Sequence, residues 1–190
     1  QTRNKYRKEF EADVKRMIKS ASEGAYTYDA NGDGRRHGFD NSNAQFGVLG
    51  VWAGARHNME FIEDKYWWGV MKHWLECQCA DGGWGYTGAT ADSRASMTAA
   101  GVATMFVCMD NLLSEAFAKC ESGQRQELKA VDRGLDWLDQ NFQKEIRSPA
   151  PYYLYALERV GLASGYKYFG ASDWYKLGAE YLVRSQRDGS

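Results

Sequence analysis

Apolar side chains recur at helical spacing in four segments of the chain. The clearest segment carries its large apolar residues at steps of three and four, which places them on one helix face: Trp67, Val70, Met71, Trp74 and Leu75. Similar spacing returns in residues 10–21, 128–142 and 174–182. The pattern predicts four amphipathic helices, each of which needs a neighbour to cover its apolar face.

Segments of a second kind alternate with the amphipathic ones. Residues 43–56, 93–109 and 152–160 are rich in Ala, Gly and other small residues on several faces, and a helix of that composition is usually buried. The last of them begins near Pro151, a residue suited to the first helical position, and we expect it to end at Gly161. No alternating stretch bounded by hairpin turns is found, so the chain is predicted to be all-α.

The predicted helices alternate between outer and inner positions, beginning and ending with an outer one. Repeated hairpins of one amphipathic and one buried helix build either a solenoid or a closed toroid. The irregular spacing between copies favours a toroid with variable loops. A chain of 190 residues supports one good core, so we expect a single α/α domain over residues 1–190, or a fragment of a larger ring.

Composition narrows the classes of partner. The formal net charge of -1 and the pI near 6.4 supply no global field for a polyanion, so no nucleic-acid partner is expected. No unbroken run of about 18 apolar residues occurs, so no membrane span is expected. The four cysteines lack zinc-finger spacing and are predicted to be buried thiols: Cys77, Cys79, Cys108 and Cys120. The cellular compartment stays open.

One segment resembles a known motif. Residues 78–84, with the sequence Gln-Cys-Ala-Asp-Gly-Gly-Trp, resemble the QW motif of squalene-hopene and oxidosqualene cyclases, which protein prenyltransferase β subunits share in looser form. Residues 186–190 resemble a shortened copy. The resemblance implies the terpenoid cyclase fold, an (α/α) toroid of inner and outer helical rings, of which this chain would form a partial ring of about six to seven helices.

In that family the QW motif is structural, and the residue chemistry gives a reason. Gln78 can bond free backbone groups at a helix end, and the Asp81-Gly-Gly sequence forms a tight turn. Trp84 can stack over that turn and join neighbouring repeats. We therefore assign Gln78, Asp81 and Trp84 to stability rather than to catalysis.

The catalytic motifs of the family are missing from the chain. No DxDD acid run exists, and the nearest stretch, beginning at Asp92, does not match it. The three histidines show no zinc-ligand spacing with cysteine, as a prenyltransferase would need. The resemblance thus implies a scaffold without a catalytic set, and the enzymatic question stays open with Asp92 and Glu158 as weak candidates.

Glu158 lies at helical steps from Tyr152 and Tyr155. Buried between helices, its carboxyl would have a raised pKa and could act as a general acid. The alternative is a structural ion pair with Arg159, which we favour.

A loop rich in Asp, Asn and Gly fits the spacing of a calcium loop. Its oxygen ligands would be Asp29, Asn31, Asp33 and Asp40. Against this, Arg35, Arg36 and His37 place positive charge beside the proposed ligands. The alternative is an ordinary surface loop, which we favour over calcium as a cofactor.

Polar residues cluster at the starts of the predicted inner helices, which in a toroid face one mouth of the central cavity. Convergent polar groups over an aromatic wall describe a generic ligand pocket. Several are also ordinary helix caps. The predicted ligand-binding residues are Asp40, Asn43, Gln45, Arg94, Tyr152 and Tyr153.

Three functions are compatible with these patterns. The leading expectation is a cyclase-like or prenyltransferase-like toroid domain that binds an apolar or isoprenoid-like small molecule. The first alternative is a noncatalytic helical-repeat module that binds protein or glycan through its concave face. The second is a calcium-dependent polysaccharide-degrading enzyme on an α/α barrel. A partial ring would expose apolar surface, which predicts either a homodimer or a continuation beyond residue 190.

Overall fold

Helices make up most of the computed structural model, which describes residues 6–28, 38–118, 125–147 and 149–186. Within these ranges the helices are α1 (Arg7–Ser20), α2 (Asn41–Ala55), α3 (Asp64–Cys77), α4 (Ala95–Ala118), α5 (Gln126–Glu145), α6 (Pro151–Ser164) and α7 (Trp174–Ser185). Each predicted helical segment coincides with one of them. The all-α prediction is therefore confirmed.

A two-stranded element departs from that prediction. Strands β1 (Tyr168–Phe169) and β2 (Ser172–Asp173) pair antiparallel between α6 and α7. Each has only two residues, too few to show an alternating pattern. Phe169 is fully buried and its ring lies 5.9 Å from that of Phe142 on α5. The hairpin thus attaches the α6–α7 connection to the core.

The predicted end of α6 at Gly161 is wrong. The helix continues to Ser164, and Gly165, with φ of 73°, supplies the left-handed cap that ends it. Gly161 serves a different purpose, because a Cβ there would lie 2.1 Å from the Trp174 ring. The glycine admits the indole of α7 against α6. Gly161 permits close packing of the two helices and does not end α6.

Helix α4 is the central element, longer than predicted, and it packs against α2, α3, α5 and α6. Small residues such as Ala99 and Ala100 are fully buried, as the composition predicted. Its segment Ala95–Ser114 has a mean hydropathy of 1.3, enough by length and composition to cross a membrane, and 67% of that window is buried inside the fold. A core helix shares these properties. The prediction of no membrane span was based on the absence of an unbroken run of about 18 apolar residues. That criterion is stricter than mean hydropathy.

The three small-residue helices lie side by side. Helix α4 contacts α2 and α6, while α1 packs on α2, α3 and α5 on α4, and α7 on α6. The starts of α4 and α6 line one cavity, and later turns of α2, α4 and α6 line another. Gln45 near the start of α2 bonds Tyr152 near the start of α6, so the three helices run in the same direction. This arrangement fits inner and outer layers. Closure into a toroid stays a prediction.

Candidate functional site

Gln78 joins the end of α3 to α5. Its side-chain Nε2 donates to the Gly82 carbonyl at 2.9 Å and to the Ala130 carbonyl at 2.8 Å. Its Oε1 accepts from the Arg133 guanidinium at 3.3 Å. Gly82 has φ of 93°, and a Cβ there would meet the Arg133 carbonyl at 2.8 Å, so only glycine fits this turn against α5.

Asp81 fixes the turn on its other side. Its carboxylate accepts from the Gly83 N–H at 3.0 Å, the Ser93 hydroxyl at 2.7 Å and the Trp137 indole at 2.9 Å. Desolvation opposes ionisation, but the hydrogen bonds from Ser93, Gly83 and Trp137 together hold the pKa of Asp81 below its ordinary value. The carboxylate is therefore committed to three neighbours and is poorly placed to accept a proton from a substrate.

Trp84 is the buried anchor of the same turn. It is fully buried, and its indole Nε1 donates to the Trp74 carbonyl at 2.8 Å. Glycines at positions 101 and 134 leave room for the ring, since a Cβ at either would approach it within 2.7 Å. The three predicted motif residues thus connect α3, α4 and α5, the contacts expected of a stabilising role. We call residues 78–84 the QW-like turn.

A buried cluster beside the turn contains His73, Cys77 and Asn41. The His73 ring Nε2 lies 2.9 Å from Asn41 Oδ1, and the Asn41 amide donates to the Gly85 and Thr87 carbonyls. Because those bonds orient the amide oxygen toward the ring, Nε2 carries the proton. Burial lowers the pKa of His73 to about 4. His73 is therefore neutral at physiological pH.

The neighbouring thiol does not form a nucleophile–base pair with His73. Cys77 Sγ lies 3.7 Å from Nδ1 and 3.8 Å from Nε2, and a sulfur equidistant from both nitrogens is off the lone-pair axis of either. Burial raises the pKa of Cys77 to about 12, which leaves it protonated. Cys77, Cys79 and Cys108 are buried free thiols, as predicted, while Cys120 lies outside the described residues.

The predicted ligand-binding residues on α2 divide into a cap and a buried pair. Asp40 caps α2 by accepting from the Ser42 N–H at 2.8 Å. Gln45 is fully buried and accepts a hydrogen bond from the Tyr152 hydroxyl at 2.6 Å. The amide nitrogens of Gln45 and Asn43 are buried with no partner among the described residues.

The other two predicted ligand-binding residues share a cavity. Arg94 and Tyr153 line a space of about 270 Å³ at the starts of α4 and α6, together with Tyr86, Ser96 and Glu145. Tyr153 is 3% exposed, and its hydroxyl has no partner among the described residues. Burial, and secondarily the charge of Glu145, raises its pKa above the ordinary range. We call this space the mouth cavity.

The two weak catalytic candidates lie in open positions. The expectation that Glu158 is buried between helices is wrong, because its side chain is 54% exposed. It forms an ion pair with Arg159, 3.9 Å between Nη1 and Oε2, as the alternative predicted. Asp92 is exposed in the loop before α4. Neither side chain is enclosed by neighbouring helices.

The sequence did not predict an apolar cavity that the three small-residue helices line together. It has a volume of about 530 Å³ and runs along later turns of α2, α4 and α6. Its lining includes Leu49, Trp52, Phe106, Leu128, Arg159 and Leu162. A signal existed, since Leu49, Trp52 and Phe106 are large apolar residues within segments rich in small ones. We call this cavity the apolar groove.

Metal sites receive no support within the described ranges. No group of three or more His, Cys, Asp or Glu side chains is placed to hold an ion there. The calcium-loop residues Asp29, Asn31 and Asp33 lie outside the described residues, and Asp40 is engaged as a cap. The calcium site stays a prediction.

No protein-family model, curated protein sequence or solved structure matches the chain. The resemblance to the cyclase and prenyltransferase family accordingly stays a prediction carried by residues 78–84.

Proposed function

We propose that this protein binds an apolar, isoprenoid-like small molecule in the apolar groove. The observation that supports the proposal is the lining: Leu49 and Trp52 of α2, Phe106 of α4 and Leu162 of α6 face one space of about 530 Å³. Ligand pockets typically range from about 300 to 1,000 Å³ and are mostly apolar. A hydrocarbon chain in this space would remove apolar surface on both sides from water.

The polar groups of the groove suit a ligand with one weakly polar end. Arg159 stacks over the Tyr155 ring at 3.7 Å and donates to the Tyr155 carbonyl at 3.1 Å. The side chain also lines the groove, so the guanidinium can donate to a hydroxyl or similar group of the ligand. Asp110 is exposed at the other edge. No catalytic role follows from this arrangement.

Exposed residues at the groove provide a matched test. Leu162 lines it and is 74% exposed, while Val183 on α7 is 72% exposed and does not line it. Both positions tolerate a charge without disturbing the core. Leu162→Glu removes an apolar contact and introduces a carboxylate, so we expect farnesol to bind about tenfold more weakly. Val183→Glu leaves binding unchanged.

The measurement is a farnesol titration followed by tryptophan fluorescence, since Trp52 lies in the groove. Binding weakened by Leu162→Glu alone supports the proposal. Equal affinity in the two variants, or no saturable binding by the original chain, contradicts it.

A second candidate function is that of a noncatalytic protein-binding module. It is supported by an exposed aromatic side chain near the apolar groove. Phe46 is 52% exposed, and its ring lies 5.9 Å from that of Tyr155 near the groove. A second copy of the chain could cover this surface. Sedimentation would then show a dimer for the original chain and a monomer for Leu162→Glu, with Val183→Glu still dimeric.

A further inference from the structure

We propose that the apolar groove selects a hydrocarbon-chain carboxylic acid, whose carboxylate binds the guanidinium of Arg159. This inference rests on the proposed function, because it concerns the same groove, and it goes further by naming the polar end of the ligand. An alcohol of the same chain still binds, but more weakly. Arg159 is then the residue that determines specificity.

The guanidinium of Arg159 is held in place by its own helix. It lies 3.7 Å from the centroid of the Tyr155 ring, and its Nη1 donates to the Tyr155 carbonyl at 3.1 Å. Tyr155 is one turn earlier in α6, so the helix itself orients the side chain. The Arg159 side chain lines the groove and is 31% exposed. Its charge is therefore partly removed from water.

Most hydrogen-bond donors of this guanidinium are unused. Arginine carries five N–H donors, and among the described residues only the Tyr155 carbonyl accepts from Arg159. The terminal nitrogen Nη2 has no acceptor within the described ranges and, unlike Nε, is not buried. Nη2 is therefore available to an oxygen of a ligand.

Arg159 has no hydrogen-bonded counter-ion in the described part of the chain. Its ion pair with Glu158 spans 3.9 Å, which is longer than a hydrogen bond. Glu158 is 54% exposed and lines the cavity between α6 and α7 instead of the groove. Asp110 of α4 lines the groove but forms no ion pair with Arg159 within the described residues. A ligand carboxylate would supply the missing partner of a partly desolvated charge.

The surrounding carboxylates limit the charge that a ligand can bring. A carboxylate carries one negative charge, whereas a phosphate monoester carries about −1.5 to −2 near neutral pH. Because Asp110 and Glu158 repel an anion while Arg159 alone attracts it, the singly charged group is tolerated better. A carboxylate also matches the planar fork of arginine. The lining therefore favours a long-chain acid over a phosphate ester.

The test compares three ligands that share one hydrocarbon chain: farnesol, farnesoic acid and farnesyl monophosphate. Each is titrated below its micelle-forming concentration at constant ionic strength, with tryptophan fluorescence as the readout because Trp52 lines the groove. We expect the original chain to bind farnesoic acid about tenfold more tightly than farnesol, because a hydrogen bond between two charged groups is the stronger one. Farnesyl monophosphate binds more weakly than the acid.

Three variants test whether the preference for the acid depends on Arg159. Arg159→Gln keeps a donor and removes the charge, so the ratio of acid to alcohol affinity falls from about ten to about one. Asp110→Asn removes a repulsive charge and raises the ratio about twofold to fivefold. Arg184→Gln is the control and keeps the original ratio, since Arg184 lies on α7, pairs with Glu180 and does not line the groove.

The outcomes separate this inference from the proposed function. If farnesol binds saturably and the acid binds no more tightly, the carboxylate assignment is wrong while the groove proposal stands. The assignment is equally wrong if Arg159→Gln and Arg184→Gln have the same ratio, or if the monophosphate binds more tightly than the acid. If none of the three ligands binds, both proposals fail.

Folding of the variants is checked by thermal unfolding, because Arg159 contacts Tyr155. If Arg159→Gln does not fold, the exposed position Asp110 provides the decision. A ratio raised by Asp110→Asn supports the proposal, and a ratio equal to that of the original chain contradicts it.

Discussion

The QW-like turn and the helices that line the groove and mouth cavity differ in how completely their polar side chains are hydrogen-bonded. In the turn, Gln78, Asp81 and Trp84 each form hydrogen bonds to neighbouring elements. Of the five buried side-chain polar atoms without a partner among the described residues, four belong to α2 and α6: those of Asn43, Gln45, Tyr153 and Arg159. Completed networks stabilise a fold, whereas each buried polar atom without a partner costs stability.

The largest expected effect is on stability, and it tests whether Trp84 in the QW-like turn stabilises the fold. Replacing Trp84 with Ala removes a fully buried indole and its bond to Trp74, so we expect unfolding free energy to fall by about 3 to 5 kcal/mol. Denaturant titration measures the loss. Trp68→Ala is the control, because Trp68 is 44% exposed.

The same pair of variants separates stability from binding. Trp84→Ala retains farnesol affinity at temperatures where it remains folded, because residue 84 does not line the groove. Loss of binding by folded Trp84→Ala, with stability close to that of Trp68→Ala, would reverse the assignment of the turn.

The His73 cluster predicts a pH dependence of stability. The pKa of His73 falls from 6.5 to about 4 on folding, so the unfolded chain binds the proton more readily. Stability from this group is fully present above about pH 6.5, decreases as pH falls toward 4, and levels off below that. The pKa difference corresponds to roughly 3 kcal/mol.

Denaturant titrations between pH 4 and 7 measure this dependence against a matched histidine. His73→Gln flattens the pH profile, while His57→Gln keeps it because His57 is exposed. If the unfolding free energy changes with pH equally in the original chain and in His73→Gln, carboxylates elsewhere produce the dependence.

A smaller effect on stability tests the contact between Gly161 of α6 and Trp174 of α7, which the sequence alone did not predict. Gly161→Ala places a Cβ 2.1 Å from the Trp174 ring, and such overpacking costs about 1 to 3 kcal/mol. Gly178→Ala is the control, since its Cβ would meet Leu154 at an ordinary 3.4 Å. Thermal unfolding compares them. A Gly161→Ala chain as stable as Gly178→Ala would contradict the close contact between Gly161 and Trp174.

The helices were predictable because their signals are local. Spacing of apolar residues such as Trp67, Val70 and Trp74 reports helix faces directly. The end of α6 was not predictable, because a glycine that ends a helix and a glycine that makes room for Trp174 cannot be distinguished in the sequence. Only the tertiary contact distinguishes them.

The site was predictable in part. Arg94 and Tyr153 were both singled out, and they line one cavity. The apolar groove was missed because residues 49, 106 and 162 come from three helices, whose lateral packing is a long-range property. Glu158 was misplaced for a related reason: helical steps give its face but not whether a neighbour covers it.

One measurement tests most directly whether the turn is structural and the inner surface binds ligand. The ¹⁵N-labelled chain is titrated with farnesol, and shifts are mapped onto both regions. We expect saturable shifts at the Trp52 indole and at Phe106 and Leu162, with the Gln78 side-chain amide and Trp84 indole unchanged. Saturable shifts confined to Gln78 and Trp84, or none in the groove, would contradict this division of the molecule.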